Sequence, residues 1–305
     1  MKTPDFSLIL ATVGRTDELR RLFDSFAAQT FSRFEVVVVD QNEDDRLIPH
    51  LERARSLGVR IRHLKHYPAN LAAARNAGIA AARGRWIGFP DDDCWYDHRV
   101  LERVANRFTS ADKPGGVIVR WVEQDEQPAA AAILSWERSR AFRDIAVSSI
   151  TLFCARALFK KIGGFDSRLG VGQWFGAGEE TDLALRALRA GALIAYEPLG
   201  EVHHAVNASR PSADRKTRLA TRHRARGTGA LYAKHRLPAW VILRGLAAPI
   251  LRPLIKGEFG AELALGYATV RGRIDGFLAW RRSHSHASAS PTTAPASKGV
   301  EEMQQ

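Results

Sequence analysis

Cysteine is nearly absent from this chain: Cys94 and Cys154 are the only two among 305 residues. Two thiols outline no disulfide framework, and they fit a reducing compartment. Also missing is any run approaching the ~20 apolar residues of a membrane-spanning helix. The best candidate, Leu237 to Leu251, is interrupted by Arg244 and Pro249. Met1-Lys2-Thr3-Pro4 leads almost directly into an apolar segment at Ser7, with no signal core before it. Neither G-x-G-x-x-G nor G-x-x-x-x-G-K occurs, so no dinucleotide or P-loop signature is present. Acid is scarce in one section only. Residues 205–282 hold 16 Lys and Arg against 4 Asp and Glu, which is the chain's whole net charge of +12; the other residues carry 29 of each. Such a section suits anionic lipid headgroups, a phosphate-bearing substrate, nucleic acid, or simply solvated helix faces.

What is present is globular in character, with 45% hydrophobic and 26% charged residues. The length suits one large domain or two modest ones. Ser7–Thr12 reads as a buried strand. A turn at Val13-Gly14-Arg15 follows, and Thr16 can cap a helix over about Asp17–Gln29, whose Leu19, Leu22, Phe23 and Phe26 recur at helical spacing. Phe34–Val39 is a β-branched run typical of a strand covered on both faces, and it ends at Asp40. A helix near Arg46–Leu57 and a strand over Val59–Leu64 come next. Asn70 then begins an Ala-rich helix over 71–82, which Arg83-Gly84 ends. Arg85–Phe89 is the next strand. Strands alternating with helices on short connections predict a largely parallel α/β layer. Ligands of such sheets sit at the carboxyl ends of the strands, where Thr12, Asp40 and Asp91–Asp93 all fall.

The second half is less regular. Strands are expected at Gly116–Val122, Ser149–Cys154 and Leu193–Glu197. A helix is expected at Glu179–Arg186, led in by the glycine-bearing loop Gln173–Gly178. From Pro238 to Arg282 short amphipathic helices with a basic face are expected, suited to lying on a membrane or to packing on the body. Residues 283–305 have the composition of a disordered tail.

The chemistry concentrates at Asp91-Asp92-Asp93. Three adjacent carboxylates repel one another, and a divalent cation with hard oxygen ligands, Mg²⁺ or Mn²⁺, relieves that repulsion. An acidic turn that caps the following helix is the other reading. Likewise Glu179-Glu180 can serve chemistry or merely favour a helix N-terminus.

The order of Leu8–Arg15, Val36–Asp40, Ala74-Arg75-Asn76-Ala77-Gly78, Asp91–Asp93, Gly163-Gly164-Phe165-Asp166, Gly178-Glu179-Glu180 and the pair His203-His204 resembles the family 2 glycosyltransferases with the GT-A fold. That resemblance implies an α/β fold with a mixed, Rossmann-like central sheet and C-terminal amphipathic helices outside it. It implies a nucleotide-sugar donor and a glycan or lipid-linked acceptor. Asp93, Asp91 and His204 or His203 are then metal ligands, and Thr12, Arg15, Asp40, Arg75, Asp91 and Asp92 face the donor. Asp40 resembles the carboxylate that accepts a base N–H, which points to uracil or thymine. Glu180 aligns with the general base, with Glu179 as its fallback. Trp174 and Asp166 are acceptor candidates. The sequence departs from the commoner family pattern at Thr12-Val13-Gly14-Arg15, at Gln41-Asn42 after Asp40, and in having Glu at 180.

The expected organisation is a catalytic domain over 1–230, a basic helical region over 231–282 and a tail over 283–305. The expected place is the cytoplasm, peripheral to the inner face of the membrane, with no nucleic-acid partner. A nucleotidyltransferase shares the sheet and metal but wants a basic glycine-rich phosphate loop early in the chain, which is lacking. A non-catalytic basic module for membranes or nucleic acid accounts for the charge, but not for acids at strand ends.

Overall fold

The computed structural model describes residues 3–124, 128, 130–204 and 213–285, with the side chains of 284 and 285 excepted. The first half alternates as expected: β1 (Phe6–Thr12), α1 (Glu18–Ala27), β2 (Phe34–Asp40), α2 (Ile48–Ser56), β3 (Ile61–Lys65), α3 (Leu71–Ala81) and β4 (Trp86–Gly88). Then come β5 (Cys94–Tyr96), α4 (Val100–Phe108), β6 (Gly116–Trp121), β7 (Ala132–Ile133), α5 (Trp136–Ser139), β8 (Leu152–Ala155), α6 (Arg156–Ile162), α7 (Glu179–Arg189) and β9 (Ile194–His204). Three helices close the described chain: α8 (Arg215–Lys234), α9 (Ala239–Lys256) and α10 (Ala261–Ser285).

Among the described residues these strands form one nine-stranded sheet, ordered β3-β2-β1-β4-β8-β6-β9-β5, with β7 also on β9. The sheet is mixed. β3, β2, β1 and β4 are parallel, β8 runs against both β4 and β6, and β5 runs against β9. The largely parallel layer inferred from alternation therefore holds only for the first half. Every residue of β1 and of β2 is buried, as a strand covered on both faces requires. One face packs Leu19, Phe23 and Phe26 of α1 and Val104 of α4; the other packs Ala72 and Ala74 of α3 with Leu183 and Ala187 of α7. Each fully buried Leu or Phe contributes about 1.5–3 kcal/mol.

Several local expectations shift. Asn70 caps α3 by accepting from the Ala73 N–H at 2.9 Å. Thr16 does not cap α1: Asp17 takes that position, without a side-chain hydrogen bond. Ser149–Thr151 is a 3-10 turn ahead of β8 rather than part of a strand. The last strand runs on through Pro198 to His204: β6 pairs with it again at Glu201 and Val202 after a register shift, and β5 pairs antiparallel with its end.

The short C-terminal helices are in fact long, 18 residues in α9 and 25 in α10. Pro249 sits inside α9 and cannot donate to the Gly245 carbonyl; Arg273 of α10 donates there instead. Glycines of α10 are contact points rather than breaks. A Cβ at Gly276 would lie 2.0 Å from the Arg226 carbonyl oxygen, so only glycine lets α10 approach α8 this closely. Residue 230 falls within α8, and residues 283–285 close α10; the rest of the expected tail, 286–305, lies outside the described residues. Among the described residues no helix is long and apolar enough to cross a membrane.

Candidate active site

Parallel register brings Thr12 of β1 level with Asp40 of β2, and the acid trio follows β4 beside them. Thr12 Oγ1 donates to Asp92 Oδ2 at 2.6 Å. Arg15, from the turn after β1, donates to Asp92 Oδ1 at 2.6 Å and also to Asp93. Burial works against the charge of Arg15, but Asp92 and Asp93 more than offset it and raise its pKa.

Adjacent strand residues point to opposite faces. Register pairs Cys94 with His204 and Trp95 with His203. His204 Nε2 lies 3.0 Å from Asp93 Oδ1, and its buried Nδ1 has no hydrogen-bond partner. His203 instead stacks on Trp95, with centroids 5.2 Å apart, and its Nδ1 lies 3.1 Å from Glu123. Of the two histidines, His204 is the one beside the acid trio. Among the described residues no three His, Cys, Asp or Glu side chains gather as a ready ligand set.

Arg75 is the centre of the arrangement. It is 1% exposed, on the sheet-facing side of α3. Its Nη2 donates to Asp91 Oδ1 at 2.9 Å; its Nη1 donates to Glu179 at 3.3 Å and to Glu180 at 3.4 Å. Loss of solvent opposes its charge, yet Asp91, Glu180 and Glu179 together raise its pKa. One guanidinium against three carboxylates leaves negative charge in excess. Desolvation, then Glu180, raises the pKa of buried Glu179, while desolvation raises that of Asp91. The two neighbouring glutamates differ in access: the Glu179 side chain is 4% exposed and that of Glu180 is 18%.

Two stretches of the family pattern are physically joined here. Asn76, next to Arg75, donates to the Phe165 carbonyl at 2.9 Å and accepts the Phe165 N–H at 2.8 Å. The glycine turn before Asp166 therefore docks on α3. From there, α7 is anchored by Asp182, which is fully buried. Asp182 accepts from Arg186 at 2.8 Å, His235 at 2.9 Å and Lys234 at 2.7 Å. Arg186 in turn donates to the Ile162 and Gly164 carbonyls. Gly178, at φ 101°, starts α7. Behind it, a Cβ on Gly227 of α8 would lie 1.9 Å from the Ala177 carbonyl oxygen. The loop holding the glutamates thus rests on α8.

Three expected site residues stand apart from this cluster or are already engaged. Asp40 is fully buried. Its Oδ1 accepts from the Asn42 backbone and side chain at 2.9 and 2.8 Å; its Oδ2 meets His63 at 2.9 Å and Lys65 at 3.0 Å. Burial opposes its charge, and these partners, the Asn42 N–H foremost, hold its pKa low. Asp166 is bound by Arg168 and by Lys234, both at 2.7 Å. Burial opposes its charge too, but those two cations drive its pKa down. Trp174 is 48% exposed, edge-on to Phe175, with the Arg226 guanidinium 4.4 Å over its ring. Sequence reading missed Lys234, Asp182 and His235. Their one signal was the i,i+4 pair Asp182–Arg186, which looks like ordinary helix-surface pairing.

The sequence profile described as "Glycosyl transferase family 2" matches residues 7–156, a span from the start of β1 to the end of β8. This chain carries a family 2 glycosyltransferase domain. The domain is 29% identical over 126 residues to the putative glycosyltransferase EpsH of Bacillus subtilis, covering 41% of this chain and 36% of EpsH. The chain is 26% identical over 217 residues to the pre-mycofactocin glycosyltransferase of Mycobacterium tuberculosis, covering 66% of this chain and 42% of that protein. A 34% identity over 110 residues links it to the succinoglycan biosynthesis protein ExoO of Rhizobium meliloti, over 36% of this chain and 31% of that one. The chain thus spans less than half the length of these curated relatives. In fold, the chain resembles residues 1–349 of S. aureus TarS, solved with UDP-GlcNAc, at TM-score 0.56, 15% identity, 92% of this chain and 92% of that one. It also resembles the mannosyltransferase PcManGT of Pyrobaculum calidifontis, solved with GDP-Man and Mn²⁺, at TM-score 0.60, 16% identity, 95% of this chain and 77% of that one.

Proposed function

We propose that this domain transfers one sugar, with inversion, from a UDP- or dTDP-sugar to a hydroxyl of a glycan or lipid-linked acceptor. The observation that carries the reading is the Arg75 guanidinium, which holds Asp91 of the acid trio and Glu180 of the α7 loop on either side of one buried cation. A donor diphosphate beside the trio then has a carboxylate across the cleft. Glu180, the more exposed of the two glutamates, takes the proton of the attacking hydroxyl. Glu179, whose pKa is raised by burial and by Glu180, supports Arg75.

The residues present fit a divalent cation. Asp93 and His204 already stand 3.0 Å apart, and Arg15 supplies positive charge to Asp93 now. Mg²⁺ or Mn²⁺ commonly takes one or two carboxylates and completes its shell with substrate phosphates and water. Asp93, Asp91 and His204 are the residues that would hold it. When bound, such an ion offsets charge developing on the departing nucleoside diphosphate. On the donor side, Thr12 orients Asp92 and Arg15 stands by to meet phosphate. A base N–H reaches Asp40 by replacing Lys65, whose side chain is 34% exposed. TarS, a fold relative, is solved with UDP-GlcNAc, which supports a uridine donor. ExoO is a succinoglycan biosynthesis protein, which supports a glycan-building role.

The acceptor face and the C-terminal helices complete the proposal. Trp174 offers an exposed ring to an acceptor sugar. Leu243, Ile255 and Phe259 are 65%, 83% and 71% exposed, near Arg252 and Lys256. This mixture suits peripheral attachment to the anionic inner face of a membrane.

A screen of nucleotide sugars for metal-dependent nucleotide release tests the activity. Release from UDP- or dTDP-sugars is expected, and none from any donor sinks it. Glu180→Gln should retain nucleotide affinity by calorimetry and lose about a hundredfold or more in transfer. Pelleting with anionic vesicles at low and high salt tests attachment alone, with salt-sensitive binding expected.

A further inference from the structure

Beside Arg168 the C-terminal helices border a cavity of about 580 Å³, open to solvent on one side and lined by Arg168, Lys234, Arg236 and Arg281 together with Phe277 and Trp280. This lies within the roughly 300–1,000 Å³ of small-ligand pockets. Two of the four cations are already matched. Asp166 binds Arg168 and Lys234, and Lys234 also reaches Asp182. Arg236 and Arg281 form no ion pair with a carboxylate among the described residues. Like charge concentrated around a concave space is unfavourable until an anion enters.

The backbone at Arg236 points the same way. The Leu237 N–H donates to the Tyr232 carbonyl at 3.0 Å and the Arg236 N–H to the Ala233 carbonyl at 3.2 Å, which closes α8 in a Schellman turn. That turn places Arg236 at φ 50°, a position where glycine is favoured. Basic residues before a helix C-terminus, such as Lys234, are accounted for by the helix dipole. An arginine at the left-handed position is not; it puts a guanidinium on the cavity wall at a conformational cost. The aromatic side of the cavity is built as well. Trp280 is 3% exposed, with Arg168 4.0 Å and Lys234 5.4 Å from its ring.

We infer that this cavity binds the phosphate-bearing part of the acceptor, with Arg236 and Arg281 as the anion-binding side chains and Phe277 as an apolar wall. The inference rests on the transferase reading, because it names the chemistry of the acceptor. Its link to the reaction is Lys234, which touches Asp182 on the helix that begins with Glu179 and Glu180.

The test is calorimetry on the full chain with nucleoside diphosphate in excess, using inorganic pyrophosphate and a short-chain prenyl diphosphate as probes. Both should bind, and Arg236→Gly should weaken each by about tenfold or more, the loss of a charge-assisted hydrogen bond. Because glycine suits that backbone position, the variant should fold at least as well as the parent. Arg281→Gln should act in the same direction. Binding of the prenyl compound alone would assign the site to a lipid-linked phosphate; binding of pyrophosphate alone would assign it to a soluble phosphorylated acceptor. Absence of binding by both, or parental affinity in both variants, overturns the inference. Nucleotide release by the parent protein is measured in parallel. Its absence from the parent protein would count against transfer and leave the binding result standing.

Discussion

At the carboxyl edge of the sheet, Arg75 meets Asp91, Glu179 and Glu180 where little water enters. Along the C-terminal helices, Arg215, Arg218 and Arg224 stand in solvent and few acids answer them. The first region holds excess negative charge through one buried cation. The second holds excess positive charge by spreading it over exposed helix faces, and its contacts rest on glycine and backbone carbonyls. The two are nevertheless joined, since Lys234 and His235 of the second fix Asp182 of the first. A single charge change should therefore damage the sheet site severely and the helices little. A single added methyl group should do the reverse, except where the two regions touch.

Arg75→Met carries the largest expected effect. It leaves three carboxylates facing one another without their cation, and breaking such a buried arrangement costs about 3–5 kcal/mol. Chemical denaturation reads this directly, and an unchanged midpoint would mean the acids are better solvated than their burial implies. Gly227→Ala tests the seam. Its Cβ would collide with the Ala177 carbonyl, moving the loop that leads into Glu179 and Glu180. Turnover should fall about ten- to a hundredfold with nucleotide affinity retained, since small misplacements of a reacting group have effects of this size. Gly276→Val acts wholly within the helices, where overpacking costs about 1–3 kcal/mol. Nucleotide binding should survive it, and loss of that binding would show the two regions to be one cooperative unit.

The smallest effect is a pH dependence at Glu179. Its pKa is raised in the folded state by burial and by Glu180. The folded protein therefore keeps a proton that the unfolded chain releases near its ordinary value of about 4.3. Stability falls as pH rises through that window, because the folded state binds more protons there. Glu179→Gln removes the term. Its melting temperature relative to the parent should climb by a few degrees, on the order of 2–4 °C, between pH 5 and pH 9. A difference that stays flat with pH would mean Glu179 titrates normally.

Much of the sheet was legible because β1 and β2 are continuous, mostly apolar runs of the kind a strand buried on both faces requires, broken only by Ser7, Thr12, Glu35 and Asp40. The N-cap at Asn70 was legible for a similar local reason. The second half was harder to read. β5 has three residues, and β9 extends past a proline with β6 pairing on one edge and β5 on the other. Glycine and proline in α9 and α10 suggested interruptions, since sequence alone does not reveal that Arg273 replaces the hydrogen bond Pro249 cannot make. Of the site, Thr12, Asp92, Asp93, Arg15 and His204 come together as a group. Asp40 and Asp166 turn out to be enclosed by partners of their own.

By itself the sequence determined which side chains bear charge, where the first two strands end and which helices open on acids. Those follow from residue type and local spacing. Only the tertiary structure decided that Arg75 meets glutamates 104 and 105 positions away, and that His204 rather than His203 faces Asp93. The physical reason is that such encounters depend on strand pairing and on burial. Register selects which of two adjacent side chains points inward, and exclusion of water makes a buried cation pull distant carboxylates around it.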